Sequence, residues 1–477
     1  MVWAVLGDFN AIRASQEGLG GNWHARSSMD LDRCLIDCDL MDVCHDGYFY
    51  MQNDGRDSSV HIYRKLDRIV ANGHWLVQFG ACKASFLPPR LSDHSPGILC
   101  LLEEPVKKGM FRFNNFLASH PLFRQVVREV WAANVEGVPM FQLVTRLTLT
   151  RKRLKQLNLM MGNVHEEVAH TRSRLEVVQN NHSEAGEERR CKADYARAIA
   201  CELDFLQQKA KRNWLKDGDQ CTKVFFRAVV RNCNRNRILT LIKDDGSYTQ
   251  SKVEIQQLFL DHFTRILGAG GRFEPELKHR LRPFVLRAIP FSMREGLYSP
   301  ISAEDIQNAL YSIGETKAPA HDGFSSKFFK ESWDIVGPSV VDAVQDFFTH
   351  GRLLKQINAT CISLIPKVKA PSKVGDFRPI SCCNVVYKII SKIIANRIKN
   401  VLPYLVDSCQ NVFVPGRRIS DNILLAQELL HNYHSRKGVW RCALKVDLMK
   451  TYDSVQWDFL IVVLELMEFP PQMTRWF

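Results

Sequence analysis

The stretch Cys442-Ala443-Leu444-Lys445-Val446-Asp447-Leu448-Met449-Lys450-Thr451-Tyr452-Asp453-Ser454-Val455, with the run Gln456 to Met467 behind it, constrains this chain more than any other. Leu444 and Val446 alternate with Ala443 and Lys445, the pattern of a short buried strand, and Asp447 stands at its tip. Asp453 or Ser454 can then cap a helix in which Trp457, Leu460, Ile461, Leu464 and Met467 recur at helical spacing. A carboxylate on a rigid strand tip suits Mg²⁺-dependent phosphoryl transfer, because that ion prefers hard oxygen ligands. The same residue also serves as an ordinary turn or helix-cap Asp.

The neighbouring motifs favour the first reading. Upstream stand Leu364-Ile365-Pro366-Lys367, Asp376-Phe377-Arg378-Pro379-Ile380-Ser381, Tyr387 to Lys392, Gln410-Asn411-Val412-Phe413-Val414-Pro415-Gly416-Arg417 and Asp421-Asn422. In this order and at these distances the set resembles the fingers and first palm motif of reverse transcriptases from LINE-type non-LTR retrotransposons, in wording close to the plant branch. The resemblance implies an RNA-directed DNA polymerase of the right-hand type over residues 251–477, with an RNA template, deoxynucleoside triphosphates and Mg²⁺. By the same resemblance Asp447 is the catalytic metal ligand and Tyr452 the ring that crowds a ribose 2′-OH. Lys367 and Arg378 would grip the triphosphate, for which fixed positive charge and a planar guanidinium are suited. Either could instead be a surface charge. Gln410 would line the nucleotide side and Arg417 the nucleic acid. Thr451 stands in the place of the usual Ala. In Thr316 to Phe324, Ala320-His321 replace Gly-Pro, which predicts a stiffened or distorted turn, since Gly adopts φ > 0 cheaply and Ala does not. No Tyr/Phe-x-Asp-Asp occurs, so a second carboxylate opposite Asp447 is expected to be missing.

A second set of motifs opens the chain. Val2 to Asn10 reads as a buried strand, and residues two apart on a strand share a face, so Asp8 and Asn10 are expected in one cleft; a loop pair is the alternative. Lys65-Leu66-Asp67-Arg68-Ile69-Val70 is another strand carrying an Asp, and Leu91-Ser92-Asp93-His94-Ser95-Pro96 adds an adjacent Asp-His pair. Carboxylates for metal and water, with a His for the phosphate, suit phosphodiester hydrolysis. Together these motifs resemble the second half of the endonuclease/exonuclease/phosphatase fold, as in the apurinic-type endonuclease of LINE polyproteins. The resemblance implies a partial αββα sandwich over residues 1–104 acting on a DNA target. Asp8 and Asn10 would orient water and phosphate, Asp67 would hold the histidine, and Asp93, also a metal ligand, would complete the site with His94. The family's metal-binding Glu lies on a strand before this point. An endonuclease remnant is therefore expected, with one inner sheet left uncovered on its apolar face.

The excess of 64 Lys+Arg over 51 Asp+Glu, a net charge of +13, favours a polyanionic partner. No signal peptide or membrane-spanning run is evident, so an intracellular, nuclear protein with no membrane partner and reduced thiols is expected. Cys34, Cys38 and Cys44-His45 have zinc-like spacing, but Cys34 and Cys38 lie a turn apart beside Leu31 and Leu35, which favours core packing. Residues 105–250 read as a basic helical linker, with Leu147, Leu154, Leu157, Val164, Val168, Leu175 and Val178 as its apolar positions. Within it, Lys209, Lys211, Arg212, Trp214 and Lys223 interleave charge and aromatic surface, as a single-strand binding face does. A solvated helix pair with Trp214 and Phe225 in its core fits the pattern equally. The whole is an α+β multidomain fragment of a retrotransposon polyprotein, expected to be inactive as it stands because both active sites look incomplete. Two alternatives remain open: a non-catalytic nucleic-acid-binding remnant, and a metal-dependent phosphodiesterase confined to residues 1–104.

If the basic-aromatic stretch is an RNA surface, a fragment of about residues 140 to 250 will bind single-stranded RNA with an affinity that falls steeply as salt rises. Filter binding of Trp214→Ala should then show a loss of roughly 1–3 kcal/mol. A folded fragment indifferent to RNA at low salt leaves the helix-pair reading.

Overall fold

The computed structural model describes residues 2–13, 17–19, 25–43, 45–48, 50–53, 62–73, 75, 79, 82–87, 89, 92–101, 111–160, 162–180, 185–210, 238, 240–247, 249, 251–268, 276–368, 371–408, 410–411, 414–431, 433 and 455–477. The fold mixes helix and sheet. It forms two compact units, each assembled from separated stretches of chain. Met1–Phe123, Arg153–Phe259 and Cys361–Cys382 make the first; Arg124–Lys152, Leu260–Thr360 and Cys383–Phe477 make the second.

The first unit is built around one strand. In chain order its strands are β1 (Ala4–Asp8), β2 (Gly18–Leu19), β3 (Leu40–Asp42), β4 (His45–Gly47), β5 (Gln52–Asn53), β6 (Tyr63–Arg64), β7 (Asp67–Asn72), β8 (Lys83–Phe86) and β9 (Gly97–Cys100). β7 lies between β1 and β3, antiparallel to both; β4-β8-β9 and β2-β6-β5 form two further sheets. From Arg68 onward every residue of β7 is buried. Strand alternation divides those residues between two clusters. Val70 packs with Leu40 and with Leu31 and Leu35 of helix α1 (Ala25–Asp37), while Ile69 and Ala71 pack with Val43, Met51, Cys82 and with Ala84 and Phe86 of β8. A helix therefore covers one face of the central sheet and a second sheet covers the other. The uncovered apolar face expected from the motifs is not found, because the segment from Cys82 to Cys100 supplies its own apolar sheet.

Cys34 and Cys38 are exposed, against the expectation of core packing. Leu31 and Leu35 occupy the inward stripe, and α1 stops at Asp37, so Cys38 falls in the turn that reverses through Asp39 at φ 55°. Arg68 is the charged residue in the β7 core. Its side chain is 0% exposed, and it pairs with Glu17 and, at 3.1 Å, with Asp42, which also takes Arg13 at 2.9 Å. Burial pushes the Asp42 carboxyl up, but Lys65, Arg68 and Arg13 pull harder and hold it at about 2.

Helices follow: α2 (Pro121–Trp131), α3 (Pro139–Met160), α4 (Val164–Asn180) and α5 (Ala185–Ala210). Leu147, Leu154, Leu157, Val164 and Val178 are buried and Val168 and Leu175 half-buried, as the periodicity predicts. After α6 (Lys252–Leu267) come α7 (Phe291–Tyr298), α8 (Ala303–Tyr311), α9 (Ser326–Glu331), α10 (Trp333–His350), α11 (Val385–Lys399), α12 (Ile419–Leu429) and α13 (Trp457–Leu466). Ser302 starts α8 with a capping box, Gly351 ends α10 at φ 68°, and Asn384 caps α11 through the Tyr387 N–H. Gln456 stands at the N-cap position of α13 without a side-chain cap bond, and Asp453 and Ser454 lie outside the described residues. The buried side chains of α13 are Val462 and Leu464, and Trp457, expected on the apolar face, is 67% exposed. The turn at Ala320 closes without distortion: Gly323 takes the positive φ of 84°, so Ala320 need not. Among the described residues no helix is long and apolar enough to cross a membrane.

Arg68→Ala will take the buried guanidinium from Glu17 and Asp42 and should cost roughly 3–5 kcal/mol in urea denaturation. Asp42 adds an acid limb. Its folded value lies below the ordinary 3.8, so its contribution is complete above pH 3.8 and is lost as pH falls toward about 2. Arg68→Ala should weaken that limb and leave the part that Lys65 and Arg13 hold.

Candidate functional site

The β1–β7 ladder sets Asp8 directly opposite Asp67, and it continues one residue further through the Phe9 N–H to Leu66 O at 3.1 Å. Carboxylates directly across a ladder repel. His94 supplies the counter-charge. Its Nδ1 lies 2.8 Å from Asp67 Oδ2 and its Nε2 lies 3.9 Å from Asp93 Oδ2. The segment carrying it is pinned by a bridge between Gln52 and His94 and by the Ser95 N–H donating to Met51 O at 2.7 Å. The hydrogen bond from Asp67 outweighs partial burial and, with the charges of Asp67, Asp93 and Asp8, raises the imidazole above its ordinary range. With Nδ1 held by Asp67, the neutral ring offers a bare Nε2 as a base and the charged ring offers an Nε2–H to an anionic oxygen.

Asp8, Asp67, Asp93 and His94 thus converge as the motifs predict, whereas Asn10 departs from its expected place. It lies beyond β1 at φ 49°, and its N–H donates to Asp8 Oδ1 at 2.8 Å, so the pair forms a turn rather than two steps of one strand. Sequence reasoning passed over Arg68. The signal was present, because a charged residue inside a continuous apolar strand must find partners.

In the finger motifs, β10 (Cys361–Pro366) pairs antiparallel with β11 (Phe377–Cys382), Ile365 facing Arg378 and Leu364 facing Pro379. The ladder runs on through the Lys367 N–H to Asp376 O at 2.7 Å. Lys367 and Arg378 therefore lie on the same face of the hairpin, both exposed. Lys367 Nζ rests on Gly375 O at 2.8 Å, and Arg378 has no partner among the described residues. In the first unit the hairpin is backed by Phe259 of α6, edge-on to Phe377 at 5.3 Å. In the second unit, Arg417 holds the carbonyls of Gln410, Val406, Pro403 and Asp407, with Gln410 O at 2.8 Å, and Asn422 accepts from Asn411 at 2.7 Å. Lys209 Nζ sits 4.0 Å over the Phe205 ring. Asp447, Tyr452, Lys211, Arg212, Trp214 and Lys223 lie outside the described residues.

Among the described residues no group of three or more His, Cys, Asp or Glu is arranged to hold a metal ion.

Residues 365–477 match the family model of reverse transcriptase, an RNA-dependent DNA polymerase. A transposon TX1 protein of 149 kDa from Xenopus laevis, described as uncharacterized, is 26% identical over 427 residues, which cover 86% of this chain and 32% of that protein. The Pol polyprotein of a type-1 retrotransposable element R2 from Bradysia coprophila is 23% identical over 48% of this chain and 25% of its own length. The R2DM polyprotein of Drosophila melanogaster is 26% identical over 34% of this chain and 14% of its own length. The chain carries the reverse transcriptase region of a LINE-type, non-LTR retrotransposon polyprotein. It spans about a third or less of the length of these relatives. The reverse transcriptase match contains Lys367, Arg378, Gln410, Arg417, Asp447 and Tyr452, and the Asp67–His94 cluster lies upstream of it.

His94 should titrate above 6.5 when its ring protons are followed by NMR against pH, and Asp67→Asn should bring the midpoint back down. The folded value is the raised one. The stability contributed by the pair is therefore complete below pH 6.5 and is lost as pH climbs through the folded value.

Proposed function

We propose that this part of the polyprotein serves target-primed reverse transcription, RNA-directed DNA synthesis at a nicked DNA target. Residues 251–477 would form the fingers and the start of the palm, residues 105–250 a basic linker with an RNA-binding extension, and residues 1–104 the C-terminal half of an endonuclease/exonuclease/phosphatase-type domain. The match of residues 365–477 to reverse transcriptase carries the reading. The shared face of Lys367 and Arg378 supports it. Two exposed cations on one face of a two-stranded ribbon suit a triphosphate, and Arg378 keeps a planar fork for two of its oxygens. By family resemblance Asp447 is the carboxylate of the catalytic centre, where Mg²⁺ would supply charge stabilisation, and Tyr452 selects deoxyribonucleotides.

The Asp67–His94 pair favours a companion chemistry, cleavage of a phosphodiester. Asp67 fixes the ring, and Nε2, which is 3.9 Å from Asp93 and so not hydrogen-bonded to it, is left to exchange a proton with water or a phosphate oxygen.

A chimera that adds the rest of the palm and the thumb from a related element should extend a DNA primer on an RNA template. Asp447→Asn should abolish that extension, since an amide cannot replace the charge of a carboxylate. Tyr452→Val should keep extension while admitting ribonucleotides. An active chimera indifferent to Asp447→Asn overturns the assignment. In a polyprotein carrying an intact endonuclease first half, His94→Ala should slow plasmid nicking by roughly 10²–10⁴-fold without touching primer extension.

A further inference from the structure

We propose that the second unit holds a binding pocket for a nucleobase bearing a phosphate, lined by none of the residues of the Asp67–His94 site. A pocket of about 170 Å³ lies among Leu147 and Arg151 of α3, His321, Asp322 and Phe324 of the turn before α9, and Ile357. A cavity near 150 Å³ admits a benzene-sized ring. The room therefore suits one planar heterocycle.

The chemistry of the lining narrows the class of ring. Several polar groups around the pocket are already satisfied. Asn384 accepts from the Tyr387 N–H at 2.9 Å and donates to Ile357 O at 2.8 Å, and the Thr148 hydroxyl donates to Val144 O at 2.9 Å. Gln356 also lines the pocket, and two further polar groups there are adjacent in sequence. His321 Nδ1 is buried with no hydrogen-bond partner. Asp322 accepts from backbone N–H groups of its own turn, Phe324 at 3.3 Å and Gly323. Burial pushes its carboxyl up, toward a form that donates as well as accepts. A purely apolar ring would leave the imidazole nitrogen unsatisfied, whereas the edge of a nucleobase alternates donors and acceptors and its faces pack on Leu147, Phe324 and Ile357.

Arg151 supplies the reason for a phosphate. It lies on the pocket wall with no partner among the described residues, on a helix whose 22 residues include no Asp or Glu. Asp322 shares the pocket wall with it, and since no salt bridge joins the two among the described residues, the guanidinium is left to take an anionic oxygen. The base could belong to a free nucleotide or to an unstacked position of a single strand; the recognition chemistry is shared.

The test is calorimetric titration of the full chain with the four nucleoside 5′-monophosphates, the matching nucleosides, inorganic phosphate and a short single-stranded oligonucleotide. At least one monophosphate should bind saturably, about tenfold tighter than its nucleoside, and the exposed-edge change Arg151→Gln should erase that difference. His321→Phe should weaken nucleoside and nucleotide alike by roughly tenfold, because both use the ring nitrogen. Leu147→Phe, at unchanged melting temperature, should block both. Binding of the oligonucleotide alone, still sensitive to His321→Phe, would identify the source as a strand and support the pocket. Phosphate competing as well as the monophosphate, binding indifferent to His321→Phe, or no saturable binding by any probe overturns it. Binding alone is read, so a failure of the polymerase assignment would not touch the result.

Discussion

A guanidinium does not lose its proton in a protein, so a strand that buries one must bring carboxylates to it. Arg68 does this at the centre of β7, gathering Glu17 from the loop before β2 and Asp42 from β3, and through Asp42 also Arg13. The consequence is positional. A slip of β7 by one residue would turn Arg68 into the apolar layer between the two sheets and carry Asp67 away from His94. The ion pairs on one face of the strand thus fix the register that places the Asp67–His94 pair on the other. Breaking such a buried pair is far costlier than never having formed it, which makes the network a device for specificity more than for stability.

Much of this was legible from the chain. Apolar runs identified β1 and β7, although β1 is largely exposed rather than buried, helical spacing identified the linker helices, and motif order identified the finger strands. The convergence of Asp8, Asp67, Asp93 and His94 was legible only through motif resemblance, since residues such as Asp67 and His94, 27 positions apart and joined by a 2.8 Å contact, leave no local trace. Other features lay beyond periodicity. Asn10 left its strand because the Asp8 side chain offers its N–H a nearer acceptor than the ladder does. The second sheet escaped notice because its strands are short and half exposed, as Gly97-Ile98-Leu99-Cys100 illustrates. Ala320 was read as a strained replacement although the glycine that the turn requires stands three residues later.

Arg417 shows how a motif residue can matter without meeting a ligand. Its guanidinium ties the carbonyls of Pro403, Val406, Asp407 and Gln410 into one loop, so the backbone beside Gln410 is ordered in advance. Whatever meets that surface need not supply the entropy of arranging it. The same logic applies to Lys367, whose ammonium is already aligned by Gly375 O.

Pro379 in β11 has a consequence for life in a crowded cell. The Lys367–Asp376 bond fixes which pairs of the ribbon exchange hydrogen bonds, and two-residue alternation then leaves Leu364–Pro379 as a pair that does not. The ring nitrogen therefore faces outward, where an ordinary residue would display an N–H to any passing strand. A two-stranded ribbon with Ile362 and Ile380 each 43% exposed would otherwise be a template for edge-to-edge aggregation, and the proline removes a donor from that edge at no cost to its own ladder.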